Sequence, residues 1–349
     1  MKRITFHDRC RETDEIMKIL DTEPSLITFV YGPINSGKTT MISHLIKELP
    51  EDYAPFYVNL RGRFITDYED FLNVLFEIDE REGDGNVTEY AKSMLKDLGA
   101  VSGIPIPINL FERIFEKKDK SKDMFKYIEQ FFIEISKTRT PVLIIDELQV
   151  IGDLKIDGLL IYKLFNFFIR LTKEMHLAHV FAVTSDSLFI GNVHSEAMLE
   201  GRCRYLLVDD FDKDTTMGFL ENYGFGEEEK ELAWHYCGGK PVCLVELVNA
   251  KVNRKDVENE AKKFLKIRKS QILSIFDEIA LGKIEYSEKA LIDEFKNFKK
   301  DELIQYDKAN KEKIFLVERN VLFIDPTQRT IKPQSRLNLL AVREVISDA

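Results

Sequence analysis

Residues 26–45, "LITFVYGPINSGKTTMISHL", join an apolar run to a helix-forming run through Gly32-Pro33-Ile34-Asn35-Ser36-Gly37-Lys38-Thr39. The spacing is GxxxxGK[ST], the phosphate-binding loop, and each residue type answers a demand of a polyphosphate. Gly32 and Gly37 permit backbone angles and a close approach that a Cβ would block. The main-chain N–H groups of Asn35, Ser36, Gly37, Lys38 and Thr39 then face the β-phosphate, assisted by the positive end of the following helix. Pro33 stiffens the entrance. Lys38 brings a mobile positive charge to the β and γ oxygens, the Thr39 hydroxyl takes one coordination position of Mg²⁺, and Thr40 completes the binding set. The bland reading is a glycine-rich turn; the apolar strand before the loop and the helix after it favour a nucleotide. The phosphates are expected at the N-terminal edge of the sheet.

Working outward, strand-like runs at 26–32, 56–62, 141–147, 179–185 and 204–210 alternate with helical stretches at 39–49, 122–137 and 158–175. Unbroken apolar blocks in strands mean burial on both faces, hence an α/β fold with a parallel sheet and helices on both sides. "PVLIIDELQ" (141–149) ends an apolar strand in Asp146-Glu147. Asp146 is expected to hold Mg²⁺ through water and Glu147 to polarise the water that attacks the γ-phosphate; the alternative is two acids capping a helix. Thr184 closes the next strand, where it either meets the γ-phosphate or merely ends the strand. An extra strand between the phosphate-loop strand and the Asp146 strand is the arrangement of P-loop ATPases with a catalytic glutamate. Residues 76–120 exceed a normal crossover, and "VSGIPIPINLFERIF" (101–115) reads as a loop insertion.

Past Asp210 the pattern turns helical, with stretches at 213–224, 227–239, 241–252 and 254–276. Helices at 287–298 and 307–320, a two-strand hairpin at 321–333 and a last helix to Ile346 follow the order of a winged helix. The expected division is an ATPase core at 1–210, a helical domain at 211–280 and a winged-helix-like domain at 281–349.

The chain's 349 residues, 44% hydrophobic and 32% charged, suit two or three globular domains rather than a disordered chain. The opening lacks a signal-peptide core and no stretch offers about 18 apolar residues, so a cytoplasmic protein without a membrane span is expected. The net charge of −10 divides into −14 over residues 1–250 and +4 over 251–349. Cys10, Cys203, Cys237 and Cys243 form no CxxC pair and read as reduced thiols. His176, His179 and His194 lack zinc spacing, and "FNFF" (165–168) reads as core.

With these motifs the chain resembles the archaeal ATPase family of the STAND class, relatives of AAA+ proteins. The resemblance covers most of its length. "ITFHDRCRETDEIMKIL" is similar to the family's entry motif and implies that Arg9 lines the nucleotide; it is otherwise a salt-bridge partner at a helix start. "LEGRCRYLLVDDFDKDTTMGFL" puts Arg202 at the phosphate-sensing arginine; it is otherwise a surface arginine. In "YCGGKPVCLVEL", Pro241 matches a proline that packs near adenine, or simply starts a helix. The family implies Glu147, Lys38 and Arg202 as the catalytic set, ATP or ADP with Mg²⁺ as cofactors, slow hydrolysis, and a switch that opens, self-associates or engages a protein partner in the ATP state. The competing readings are an ATP-regulated DNA-binding protein working through 307–320, where Asp307, Glu312 and Glu318 dilute Lys308, Lys311, Lys313 and Arg319, and a motor, for which no further motif appears.

Overall fold

A computed structural model describes residues 4–62, 64–80, 86–94, 101–115, 120–152, 160–196 and 199–348. Its elements run α1 (Cys10–Leu20), β1 (Ile27–Tyr31), α2 (Lys38–Glu48), β2 (Tyr53–Asn59), α3 (Tyr68–Leu75), β3 (Phe76–Asp79), α4 (Val87–Met94), β4 (Val101–Ser102), β5 (Ile104–Pro107), α5 (Ile108–Phe115), α6 (Lys120–Ile135), β6 (Thr140–Asp146), α7 (Leu160–Ile169), β7 (His179–Thr184), α8 (Ser187–Glu196) and β8 (Cys203–Leu207). The helical part follows as α9 (Lys213–Asn222), α10 (Glu227–Cys237), α11 (Pro241–Val252) and α12 (Val257–Ala280). The chain closes with α13 (Glu288–Lys296), β9 (Ile304–Gln305), α14 (Lys311–Glu318), β10 (Leu322–Asp325), β11 (Thr330–Pro333) and α15 (Arg336–Asp348).

The central sheet has the order β4-β2-β6-β7-β1-β8, and every pairing is parallel. Side chains alternate across it. Ile27, Phe29 and Tyr31 of β1 enter one apolar cluster with Phe56, Leu143, Val180 and the aromatic face of α6 and α7, where "FNFF" contributes three buried rings, Phe165, Phe167 and Phe168. Val30 faces the other way, into a cluster with Val142, Val183 and residues of α1 and α2. Burial on both faces is why β1, β6 and β7 read as unbroken apolar runs. The strand expected between the phosphate-loop strand and the Asp146 strand is β7.

Three expectations need correcting. The stretch 101–115 is not a loop: β4 joins the sheet edge beside β2, and β5 pairs with β3 in a separate two-stranded parallel sheet. Pro105 and Pro107 have no N–H to donate, which suits a strand with a single partner, and the Pro105 carbonyl accepts from the Tyr127 hydroxyl at 2.6 Å. Cys237 and Cys243 are not free: they form a disulfide, because the Gly238-Gly239 turn folds the start of α11 onto the end of α10 and brings their Cα atoms to 5.8 Å. Cys10 and Cys203 are free thiols. Finally, β1 runs from Ile27 to Tyr31 and the loop follows Tyr31, so the loop lies at the carboxyl, not the amino, ends of the strands.

A third cluster unites α9, α10 and α11 with the first turns of α12, through Phe219, Leu244, Val257 and Ala261. The 24-residue α12 then carries Ile272, Ile275 and Phe276 into a fourth cluster with α13, α14 and α15. There β10, β11 and β9 make an antiparallel three-stranded sheet. The sequence pattern gives the β10–β11 hairpin but not β9, which is only two residues long. Among the described residues no helix is long and apolar enough to cross a membrane.

Candidate functional site

At the end of β1 the Val208 amide donates to the Tyr31 carbonyl at 2.7 Å, which drives β8's continuation against the next residue. A Cβ on Gly32 would stand 2.1 Å from the Val208 oxygen, so only glycine fits. Asn35 (φ 60°) and Gly37 (φ 93°) adopt left-handed angles that fold the loop back over the start of α2. No side chain caps α2, leaving its first amides for an anion. Lys38 is buried, and its Nζ donates to the Gly32 carbonyl at 3.0 Å, the Pro33 carbonyl at 2.9 Å and Ser36 Oγ at 3.4 Å. Burial, and then the nearby Lys240, push its pKa down to about 8.

The carboxyl ends of β2, β6 and β7 converge on this loop. Thr39 Oγ1 donates to Asp146 Oδ2 at 2.7 Å, and the Tyr57 hydroxyl donates to the same oxygen at 2.9 Å. Asn59 Nδ2 in turn donates to the Tyr57 oxygen at 3.1 Å. Burial raises the pKa of Asp146 against these hydrogen bonds. A carboxylate beside a hydroxyl is a hard, oxygen-only donor pair, which suits Mg²⁺. Glu147 takes left-handed angles (φ 61°, ψ 42°), its amide donating to the Val183 carbonyl at 2.9 Å. Its carboxylate accepts from Gln149 Nε2 at 2.5 Å and Ser185 Oγ at 3.4 Å, and Arg61 stands 3.8 Å away. Thr184 is buried at the end of β7 and donates to Gln149 Oε1 at 2.7 Å.

The helical segment covers the loop. The Phe211 amide donates to the Gly239 carbonyl at 2.9 Å, Lys240 Nζ lies 2.7 Å from Asp210 and donates to the Ile34 carbonyl at 3.0 Å, and Pro241 starts α11 beside Gly37. Arg9 is buried, bonded to Glu12 at 2.8 Å and to the Ser36 carbonyl at 2.5 Å, with its guanidinium 4.5 Å from the Phe211 ring. Arg9 is thus an ion-pair partner, and it also borders an apolar cavity. Two cavities meet at Gly37, Thr40 and Pro241. One, of about 280 Å³, is walled by Lys38, Thr39, Arg61, Glu147 and Ser185. The other, of about 270 Å³, is mostly apolar and walled by Phe6, His7, Phe211, Phe219 and Val245.

The C-terminal hairpin reaches the same place. Gln334 Oε1 accepts from the Ile34 amide at 3.2 Å. The Tyr31 hydroxyl donates to Asp325 Oδ1 at 2.9 Å and lies 2.9 Å from Thr327 Oγ1, and Lys332 pairs with Asp209.

Of the residues picked from the sequence, Arg9, Gly32, Pro33, Asn35, Ser36, Gly37, Lys38, Thr39, Thr40, Asp146, Glu147, Thr184 and Pro241 come together here. Arg202 does not. It precedes β8, and its carbonyl accepts from the Ile27 amide at 3.1 Å, at the amino end of β1. The loop is one strand away, roughly 16 Å at about 3.3 Å per residue, so a phosphate-sensing role for Arg202 is corrected. His176 and His179 sit at that same far end, and no metal-holding group of His, Cys, Asp and Glu occurs among the described residues. Tyr57, Asn59, Gln149, Lys240 and Gln334 were missed. Tyr57 and Asn59 had a signal, being polar and two apart at the end of a strand, hence on one face; Lys240 and Gln334 had none.

Comparison with known proteins agrees with this geometry. Residues 6–247 match the family described as an ATPase domain predominantly from Archaea, and residues 258–346 match the C-terminal domain of MJ1010-like uncharacterized ATP-binding proteins. An uncharacterized ATP-binding protein of Pyrococcus abyssi is 47% identical over 342 residues, covering 98% of both chains. One of Methanocaldococcus jannaschii is 45% identical over 354 residues, again covering 98% of each. Among solved structures, a Walker-type ATPase of Pyrococcus abyssi superposes with a TM-score of 0.66 at 16% identity, covering 98% of this chain and 97% of its own. The Aeropyrum pernix ORC2 protein, solved with ADPNP and ADP, gives 0.50 at 13%, covering 99% and 96%. With the loop, the paired carboxylates and a family match over most of its length, this chain belongs to the archaeal ATPase family.

Proposed function

We propose that the protein is an ATP-operated molecular switch of the STAND type, which binds ATP with Mg²⁺, hydrolyses it slowly and changes the arrangement of its segments as it does so. The reading divides the chain into a nucleotide-binding core (1–210), a helical lid (211–280) and a winged-helix-like module (281–349). The observation that carries it is the convergence of all three on one residue of the loop: the Ile34 amide donates to Gln334 while the Ile34 carbonyl accepts from Lys240. A loop that must rearrange around phosphates is thereby tied to both downstream segments.

The residues fit the chemistry. The amides at the start of α2 and the Lys38 ammonium neutralise the phosphates, and the apolar cavity suits a base. Asp146 with Thr39 would hold Mg²⁺, which supplies positive charge to the phosphate oxygens. Glu147 accepts a proton from the attacking water as its oxygen bonds to the γ-phosphorus and the bond to the β–γ bridging oxygen breaks, giving ADP and phosphate. Loss of the γ-phosphate changes what the loop can hold, and differential contact is what shifts a two-state equilibrium.

The DNA-binding reading gains less. Lys313 is paired with Glu294 at 2.9 Å and Arg319 with Glu278 at 2.8 Å, so these cations on and beside α14 are already neutralised. Lys38→Ala is expected to abolish nucleotide binding by calorimetry, and Glu147→Gln to retain binding while losing phosphate release. ATP-dependent self-association of Glu147→Gln in sedimentation velocity supports the switch. A Glu147→Gln protein that turns over normally removes the base from this reading, and identical sedimentation with ATP and ADP removes the switch.

A further inference from the structure

The carboxylate assigned as base is not free in its cavity; it is the end of a hydrogen-bonded chain. Glu147 Oε2 accepts from Gln149 Nε2 at 2.5 Å, and Gln149 Oε1 accepts from Thr184 Oγ1 at 2.7 Å. The direction of this chain is fixed by chemistry. An ionised carboxylate only accepts, so the amide must turn its Nε2 toward Glu147 and leave its oxygen for Thr184. The Thr184 oxygen receives the Asp186 amide at 3.0 Å. Its single proton goes to Gln149 Oε1, which can only accept and lies at 2.7 Å, rather than to the Asp186 carbonyl at 3.5 Å. The backbone holds the three residues at these positions. Glu147 is anchored to β7 through Val183, the Val150 amide donates to the Glu147 carbonyl at 3.0 Å, and the Gly152 amide donates to the Gln149 carbonyl at 3.0 Å. Gln149 thus rides on a tight 3₁₀ turn, Leu148–Ile151, between the ends of β6 and β7.

We infer that Gln149 is a positioning residue that transmits the placement of Thr184 at the end of β7 to the carboxylate of Glu147. The inference rests on Glu147 being the base. It gives Thr184 a task different from touching phosphate directly: its proton is committed to the amide, so it acts through Gln149. With Oε2 held, Oε1, which Arg61 approaches to 3.8 Å, is the oxygen to meet a water in the cavity shared with Lys38, Thr39 and Arg61. Since small displacements of a reacting group cost large factors in rate, loss of the amide should lower turnover without touching nucleotide affinity.

The test is a double-mutant cycle on steady-state ATP hydrolysis by the full-length protein, with ADP affinity measured in parallel. Gln149→Ala is expected to lower kcat by about tenfold to a hundredfold with ADP affinity unchanged. Thr184→Val, which keeps the shape and deletes the proton, is expected to do the same, and Thr184→Ser to restore the rate. Combining Thr184→Val with Gln149→Ala is expected to cost no more than Gln149→Ala alone, because both cut one chain. Unchanged kcat in Gln149→Ala, effects of Thr184→Val and Gln149→Ala that multiply, or a Thr184→Ser protein as slow as Thr184→Val would each overturn the relay. Normal turnover by Glu147→Gln instead overturns the base assignment, so the two failures are told apart.

Discussion

Lys38 spends its charge inside the protein. Its ammonium rests on two carbonyls and a hydroxyl of its own loop, and burial lowers its pKa to about 8, against an ordinary 10.5. Polyphosphate binding needs the protonated form and stabilises it, so binding takes up a proton wherever the free protein has lost one. Affinity is therefore constant below pH 8 and falls above it, by about tenfold per pH unit until the pKa of the complex is reached. Calorimetry of ADP binding at pH 9, in two buffers of different ionisation enthalpy, should report uptake of close to one proton, and at pH 7 far less from this group. Lys38→Arg keeps a charge that does not titrate in this range and should remove the difference. Equal proton uptake in the two proteins would mean that another group, such as the buried Lys240, is responsible. The motif residues were legible because phosphate chemistry dictates their types and spacing. Gln149 and Lys240 were not, since nothing in one chain says that a glutamine two residues past a carboxylate folds back onto it, or that a lysine some two hundred residues away reaches a loop carbonyl. Arg202 is a different case: it stands ahead of the strand at 204–210 while the loop follows the strand at 26–32, so in a parallel sheet sequence order already puts the two at opposite edges.

At the scale of elements, the junction of α10 and α11 carries the site's roof. Gly238 and Gly239 turn the chain so that Lys240 and Pro241 meet the phosphate loop, and Gly239 is packed so tightly that a Cβ would come within 1.7 Å of the Phe211 carbonyl oxygen. Gly239→Ala must push the junction away from Phe211, at an expected cost of about 1–3 kcal/mol, and should weaken nucleotide binding because Lys240 and Pro241 move with it. Gly191 is the contrasting case. It lies exposed within α8, and a methyl added there would meet no neighbour within 4 Å, so Gly191→Ala should stabilise by roughly 0.5–1 kcal/mol through helix propensity. Denaturant melts of the two variants should move in opposite directions; a shift of the same sign in both would refute the packing argument for Gly239. The strands of the sheet were legible because burial on both faces leaves long apolar runs. The small elements β4, β5 and β9 were not, because two to four residues containing proline, or pairing with a single neighbour, carry no periodicity to read.

For the whole molecule, the question is whether the C-terminal hairpin is a latch on the nucleotide loop or a fixed part of the core. Its polar cross-contacts are Tyr31 to Asp325 and Thr327, Ile34 to Gln334, and Lys332 to Asp209, and Phe323 of β10 adds an apolar one, buried in the cluster of the central sheet. The hairpin turn is satisfied without the core, since Asp325 Oδ1 also accepts from the Thr327 amide at 2.8 Å and the Thr327 hydroxyl at 2.7 Å. Tyr31→Phe combined with Gln334→Ala thus removes two bonds across the contact and leaves both partners folded. At about 0.5–1.5 kcal/mol for each bond, docking should weaken roughly fivefold to 150-fold. The single tryptophan, Trp234, is placed to see it, lining the gap between α10 and the hairpin beside Lys332, Pro333 and Arg336. If the hairpin is a latch, the double variant should change Trp234 emission, speed amide exchange at residues 322–333 while leaving β1 unchanged, and release ADP faster than the parent protein. Faster exchange in β1 as well would mean that the core itself had loosened. Unchanged exchange at 322–333 would make the hairpin an integral part of the core, and the proposed switch would then have to work through α9–α12 alone.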